Sequence, residues 1–130
     1  GKAVVLAEPL SLWGGFDLES GAVLDINHPQ HGVVLSGRVL VMPGGRGSSS
    51  SSSILLESAR RAIHPRAIIL AEPDPILVIG ALLAEDLYGV KLPLVLLSGD
   101  DLSRLRNDMS LTVRACENTA SIQCDSSGIT

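Results

Sequence analysis

The 130 residues carry 45% apolar and 18% charged side chains, and ten Lys and Arg against fourteen Asp and Glu give a net charge of −4. That balance excludes intrinsic disorder, which requires low hydrophobicity with high net charge. It also excludes a phosphate-backbone binder, which requires a basic excess, and one Trp, one Tyr and one Phe are too few for a base-stacking platform.

The length fits one domain, residues 1–130. No apolar run approaches the roughly 20 residues that span a bilayer. The first apolar run meets Glu8 and Pro9, so no signal peptide is expected and the cytoplasm is the expected compartment. With so few charges to cover the surface, a sizeable exposed apolar patch is expected, of the kind that marks a partner surface.

Residues 3–7 (AVVLA) read as a short strand stopped by Pro9, followed by a turn-rich loop through Trp13, Gly14, Gly15, Phe16 and Asp17. A second loop holds Asn27, His28, Pro29, Gln30, His31 and Gly32. Residues 33–42 (VVLSGRVLVM) read as strand, broken by a bulge or turn at Ser36–Gly37. Pro43, Gly44, Gly45, Arg46 and Gly47 then lead into six serines, Ser48 to Ser53.

Beyond the serines the apolar period becomes helical at Leu55, Ala59, Ala62 and Ile63, with Glu57 and Arg61 spaced as an i,i+4 pair and His64–Pro65 as the expected end. Residues 67–70 read as a buried strand. Asp74 is the predicted N-cap, and Pro75 the first residue, of a helix running to Tyr88 and closed by Gly89. Residues 92–97 are strand-like, 98–106 a short polar helical segment, and 111–115 with 121–124 a closing hairpin. This alternation predicts an α/β fold with a mixed sheet and right-handed crossovers.

The run 44–53 joins a strand directly to an amphipathic helix, which fits a built loop better than a flexible linker. A strand, a glycine turn and a helix N-terminus make an anion site for a carboxylate or phosphate. The Gly-Lys-Ser/Thr of a nucleotide-hydrolysing loop is missing, and no Gly-x-Ser-x-Gly elbow exists for a serine hydrolase. One serine of the run is a candidate base if helix amides stabilise its alkoxide. A catalytically inert module that merely holds a carboxylate or phosphate is the rival from another class.

Elsewhere the candidates are weaker. His28, His31 and His64 read as surface or loop residues, too few to hold a metal without outside ligands. Glu72 and Asp74 flank Pro73 after a strand, where α/β sheets tend to bind ligands. Cys116 and Cys124 have neither zinc-site nor CxxC spacing and read as small apolar fillers on neighbouring strands.

Several stretches in order resemble the small subunit, or swivel domain, of the aconitase X dehydratases: PLSLWGG from Pro9, GRVLV from Gly37, PGGRGSSS from Pro43 and EPDPI from Glu72. The resemblance covers residues 1–97. It implies a swivelling β/β/α domain similar to the fourth domain of aconitase, closing over a large subunit that carries an iron or iron–sulfur centre. By the family's Gly-Ser-Ser motif, Ser48 takes the role of proton acceptor with Ser49 as a neighbouring substrate contact, and Gly47 and Arg46 beside them are expected to bind substrate. Aconitases have an arginine where Ser50 stands, and the commoner family glycine is replaced by Ser51. The loop and Trp13–Gly14–Gly15 look more like members acting on cis-3-hydroxy-L-proline than those acting on phosphomevalonate, the alternative. No metal ligand is expected in this chain itself.

Overall fold

The computed structural model describes residues 1–44, 50–115 and 120–124. Four strands, β1 (Ala3–Val5), β2 (Val39–Met42), β3 (Ala67–Leu70) and β4 (Leu94–Leu96), form one parallel sheet in the order β1-β2-β3-β4. β5 (Leu111–Ala115) and β6 (Ala120–Cys124) form a separate antiparallel pair. The mixed character extends into the main sheet, because residues 108–111 run antiparallel along β1: Ala3 N–H donates to Met109 O, and Asp108 N–H to Ala3 O, both at 2.8 Å. Arg38 fixes this edge by donating to Ala3 O (3.1 Å) and to the Asp108 carboxylate (2.5 Å).

Period-two alternation decides which strand residues face each layer. Val4, Leu40, Ile68 and Leu94 lie in register across the sheet and point into the larger core. Ala3, Val39, Val41, Ala67 and Ile69 point to the opposite face, where Leu102, Leu105, Met109, Leu111 and Val113 of the C-terminal segment cover them. Both faces are therefore apolar, as parallel strands require.

The larger core is roofed by α2 (Ser51–Arg60) and α3 (Pro75–Tyr88), which pack on each other. Their approach is close at Gly80, where an added Cβ would lie 3.0 Å from Ser52 O and 3.2 Å from Leu55 Cβ. Alternate faces of α3 differ little in polarity: Leu77 and Ala84 are buried, while Ile79, Leu82 and Leu87 stay exposed, Leu82 at 62%. This is the apolar patch expected from composition. Among the described residues no helix is long and apolar enough to cross a membrane.

Between β1 and β2 the chain makes a turn-rich excursion whose one helical turn, α1 (Leu12–Gly15), is irregular, with Gly14 at φ +77°. Leu10, Leu12, Phe16, Val23 and Leu35 bury this excursion on the larger core. Gly21 is required within it, since its φ is +76° and a Cβ would meet Ser36 Cβ at 2.6 Å.

Several boundaries differ from the sequence reading. The break expected at Ser36–Gly37 is present, with Gly37 at φ +73° and strand from Val39, but the residues before it do not form a strand: Val34 makes only an isolated bridge to Ala22. The helix expected to reach His64 stops at Arg60, because Ala62 adopts φ +58° and Ile63 N–H returns to Ser58 O. α4 (Gly99–Leu102), capped by the Ser98 hydroxyl on Asp101 N–H, is shorter than the 98–106 segment.

Candidate functional site

All four sheet strands point the same way, so their carboxyl ends form one rim, the usual ligand edge of an α/β sheet. Three loops meet there. From β2, Pro43 and Gly44 lead out of the sheet toward Ser50 and the start of α2. From β3, the N–H groups of Ala71 and Glu72 both donate to Pro43 O, at 3.1 and 3.2 Å. From β1, the α1 turn reaches α2 directly: Trp13 N–H donates to Ser51 Oγ at 3.4 Å, and Ser51 is buried.

Each neighbour of the serine run is thereby held by backbone rather than by long side chains. Trp13 is 58% exposed, with its backbone against the first turn of α2. Glu72 lies against buried Gly44 at the loop's entry, its Oε2 3.5 Å from where a Cβ on that glycine would stand, an ordinary van der Waals distance. Asp74 serves a different end. Its Oδ1 accepts from Ile76 and Leu77 N–H at 3.0 and 3.1 Å, and Pro75 takes the first turn, as the sequence predicts.

The predicted catalytic Ser48 and the predicted substrate contacts Ser49, Arg46 and Gly47 lie outside the described residues, between Gly44 and Ser50. Cys116 also lies outside them. The other candidates are placed. His31 is exposed, but His28 is buried at 6%, contrary to the surface reading. Its Nδ1 accepts from Gln30 N–H at 3.0 Å, which leaves Nε2–H to donate to Glu8 O at 3.1 Å. Gln30 in turn accepts from Ala7 N–H and donates to Val5 O, so this loop splints the end of β1. His64 is half-buried, and burial holds its imidazole below the usual 6.5 while a hydrogen bond to the Ser58 backbone opposes that. Glu57 is pushed down to about 2 by hydrogen bonds from Arg60 and Arg61, on the solvated face of α2. Among the described residues no group of three His, Cys, Asp or Glu side chains fits a metal ion.

Two neighbours of the loop follow from topology rather than from any local motif: Trp13 touches α2 only because β1 and β2 are adjacent, and Glu72 meets Gly44 only because β2 and β3 are. The strand order was the missing signal.

A family model described as the aconitase X swivel domain matches residues 1–122. The chain belongs to that family. The swivel domain is 47% identical over 97 residues to a cis-3-hydroxy-L-proline dehydratase of Pseudomonas aeruginosa, covering 75% of this chain and 17% of that protein. It is 38% identical over 118 residues to the phosphomevalonate dehydratase small subunit of Methanothermobacter thermautotrophicus, covering 90% of this chain and 86% of that subunit. Its fold is similar to the crystal structure of Thermococcus kodakaraensis aconitase X in its holo form, with TM-score 0.73, 31% identity, and coverage of 85% and 79% of the two chains. The chain thus spans about a sixth of the hydroxyproline dehydratase but most of the phosphomevalonate subunit.

Proposed function

We propose that this swivel domain, residues 1–130 acting as a single unit, is the small part of an aconitase X-type hydro-lyase that converts cis-3-hydroxy-L-proline to a pyrroline carboxylate. The observation that carries the reading is the position of the run 44–50, between the carboxyl end of β2 and the amino end of the ten-residue α2. A parallel strand followed by a helix aims the positive end of the helix dipole at that rim, where a carboxylate is stabilised.

In this reading Ser48 accepts the proton from the carbon next to the carboxylate, and Ser49, Gly47 and Arg46 contact the substrate. The Cα–H and C3–O bonds break, a double bond forms between those carbons, and the hydroxyl departs as water. A serine oxygen has too high an intrinsic pKa to act alone, so the dipole and first-turn amides of α2 must favour its alkoxide. The iron or iron–sulfur centre belongs, in this proposal, to a large subunit. The described residues offer no ligand set for it, and no step of the chemistry assigned here runs through it.

The 86% coverage of a phosphomevalonate dehydratase small subunit supports a second reading, in which the same loop serves that substrate. The test is to co-express the chain with its large subunit and assay both substrates. Turnover of hydroxyproline by the assembly supports the proposal, and turnover of phosphomevalonate alone selects the second reading. Full activity of the isolated chain contradicts the need for a partner, and tight binding of substrate without turnover in the assembly favours an inert binding module.

A further inference from the structure

Along α3 small residues dominate the inner face and large ones the outer. Leu77, Gly80 and Ala84 are buried, with Gly80 set against α2. Ile79, Leu82, Leu83 and Leu87 form a solvent-side stripe at i, i+3, i+4 and i+8, with Ile79 at 52% and Leu87 at 58% exposure. A helix that is apolar on both sides ordinarily has both sides covered. Asp86 stands within the stripe at i+7, and Glu85 stands at its edge. Both carboxylates lie in the last turn, where the helix end is already negative and no basic residue is present. Lys91 lies beyond the Gly89 C-cap, and among the described residues no ion pair engages Glu85 or Asp86. Arg60, at the end of the neighbouring helix, is held by Glu57.

We propose that the outer face of α3 docks the large part of the dehydratase, through an apolar patch bearing an Arg or Lys that meets Asp86. This rests on the dehydratase reading and names the face by which the partner is held. Charge decides between occupants. From Ala67 to Val90 the chain has four carboxylates, Glu72, Asp74, Glu85 and Asp86, and no Lys, Arg or His. A second copy on this face would set acid against acid and leave Asp86 in a dry interface without a cation. An apolar surface with basic residues neutralises both Asp86 and the helix end. Relatives contain such a further polypeptide: the 97 matched residues are 17% of the Pseudomonas aeruginosa hydroxyproline dehydratase, and the Methanothermobacter homologue is named a small subunit. Since α3 begins at the rim of the proposed site, a polypeptide closing over that rim can continue onto this face.

The experiment titrates the full chain onto its large subunit, as wild type and as variants at exposed positions, and follows assembly by sedimentation velocity. Ile79→Gln combined with Leu82→Gln is expected to weaken assembly roughly a hundredfold, the scale of two lost apolar anchors. Asp86→Asn is expected to weaken it about tenfold and to flatten its dependence on salt. Ile26→Gln, at an exposed apolar position on the excursion, stays within about twofold of wild type. Urea midpoints of all variants match wild type, and saturating chain restores turnover to within about twofold, because none of these residues belongs to the site. Unchanged assembly in the double variant, or a loss confined to self-association of the chain, overturns the docking face; wild-type turnover of hydroxyproline then leaves the dehydratase reading standing. An assembly that responds to these variants but turns over neither substrate upholds the docking face and overturns the dehydratase reading. Failure of the wild-type chains to assemble overturns both.

Discussion

At the start of α3, Asp74 folds its carboxylate onto the N–H groups of Ile76 and Leu77, and Pro75 removes a further donor. At the start of α2, reached from the neighbouring strand by the same kind of crossover, the N-cap residue is Ser50, whose backbone is already helical (φ −67°, ψ −12°) and whose side chain makes no capping bond. The two helices lie side by side over one sheet and begin at one rim, but their positive ends are treated differently. One is neutralised by the chain's own anion. The other opens from a glycine- and serine-rich run with no acidic residue in its first turn. Two copies of one strand–helix unit have thus been given separate tasks, one holding the fold and one, in the proposed function, holding a ligand.

The largest expected effect on stability tests whether the two helices depend on each other. Gly80→Val forces a branched side chain against Ser52 O and Leu55, and is expected to cost about 2 kcal/mol, the usual scale of overpacking. Urea unfolding measures it, and a neutral result would mean that α3 does not set the position of α2. Next, Asp74→Ala removes the α3 cap and should lower stability by about 1 kcal/mol while leaving substrate KM of the assembled enzyme unchanged. A KM change equal to that of a loop variant would erase the distinction between the two helix starts.

The converse substitution, Ser50→Asp, gives α2 an internal anion. Thermal unfolding is expected to show a gain of about 0.5 kcal/mol from the dipole, and carboxylate inhibitors should bind the assembled enzyme more weakly. The smallest effect lies at the far end of α2. His64 has a folded pKa below its usual 6.5, so the unfolded chain takes up its proton first as the pH falls. Stability is therefore lost from about pH 6.5 downward toward the folded value, and His64→Gln should flatten that part of the pH profile relative to wild type.

What could be read from sequence followed from local chemistry. Asp74, Pro75 and Gly89 mark α3 because capping, N1 proline and a left-handed C-cap each act within a few residues, and Gly89 does adopt φ +65°. The strand 67–70 was legible because it is apolar on both faces. The break before β2 was legible at Ser36–Gly37, but the strand read into 33–35 was not sound, because Val33 and Val34 have strand-like composition but pair within the excursion, and only tertiary contacts decide between the two. No sequence rule places Ala62 in the left-handed region, so the end of α2 was read too late. The burial of His28 follows from how its loop splints β1, which is a long-range fact. At the candidate site, the serine run between strand and helix was legible from composition and resemblance, whereas Trp13 and Glu72 enter only once the strand order is known.

The most direct test of the proposed role is Ser48→Ala in the assembled enzyme, with substrate affinity and turnover measured separately. Loss of a positioned proton acceptor is expected to reduce kcat by about a thousandfold while the dissociation constant for substrate changes only about twofold. Turnover within a few-fold of wild type would remove the serine run from the chemistry and leave the rim of this sheet a binding surface only.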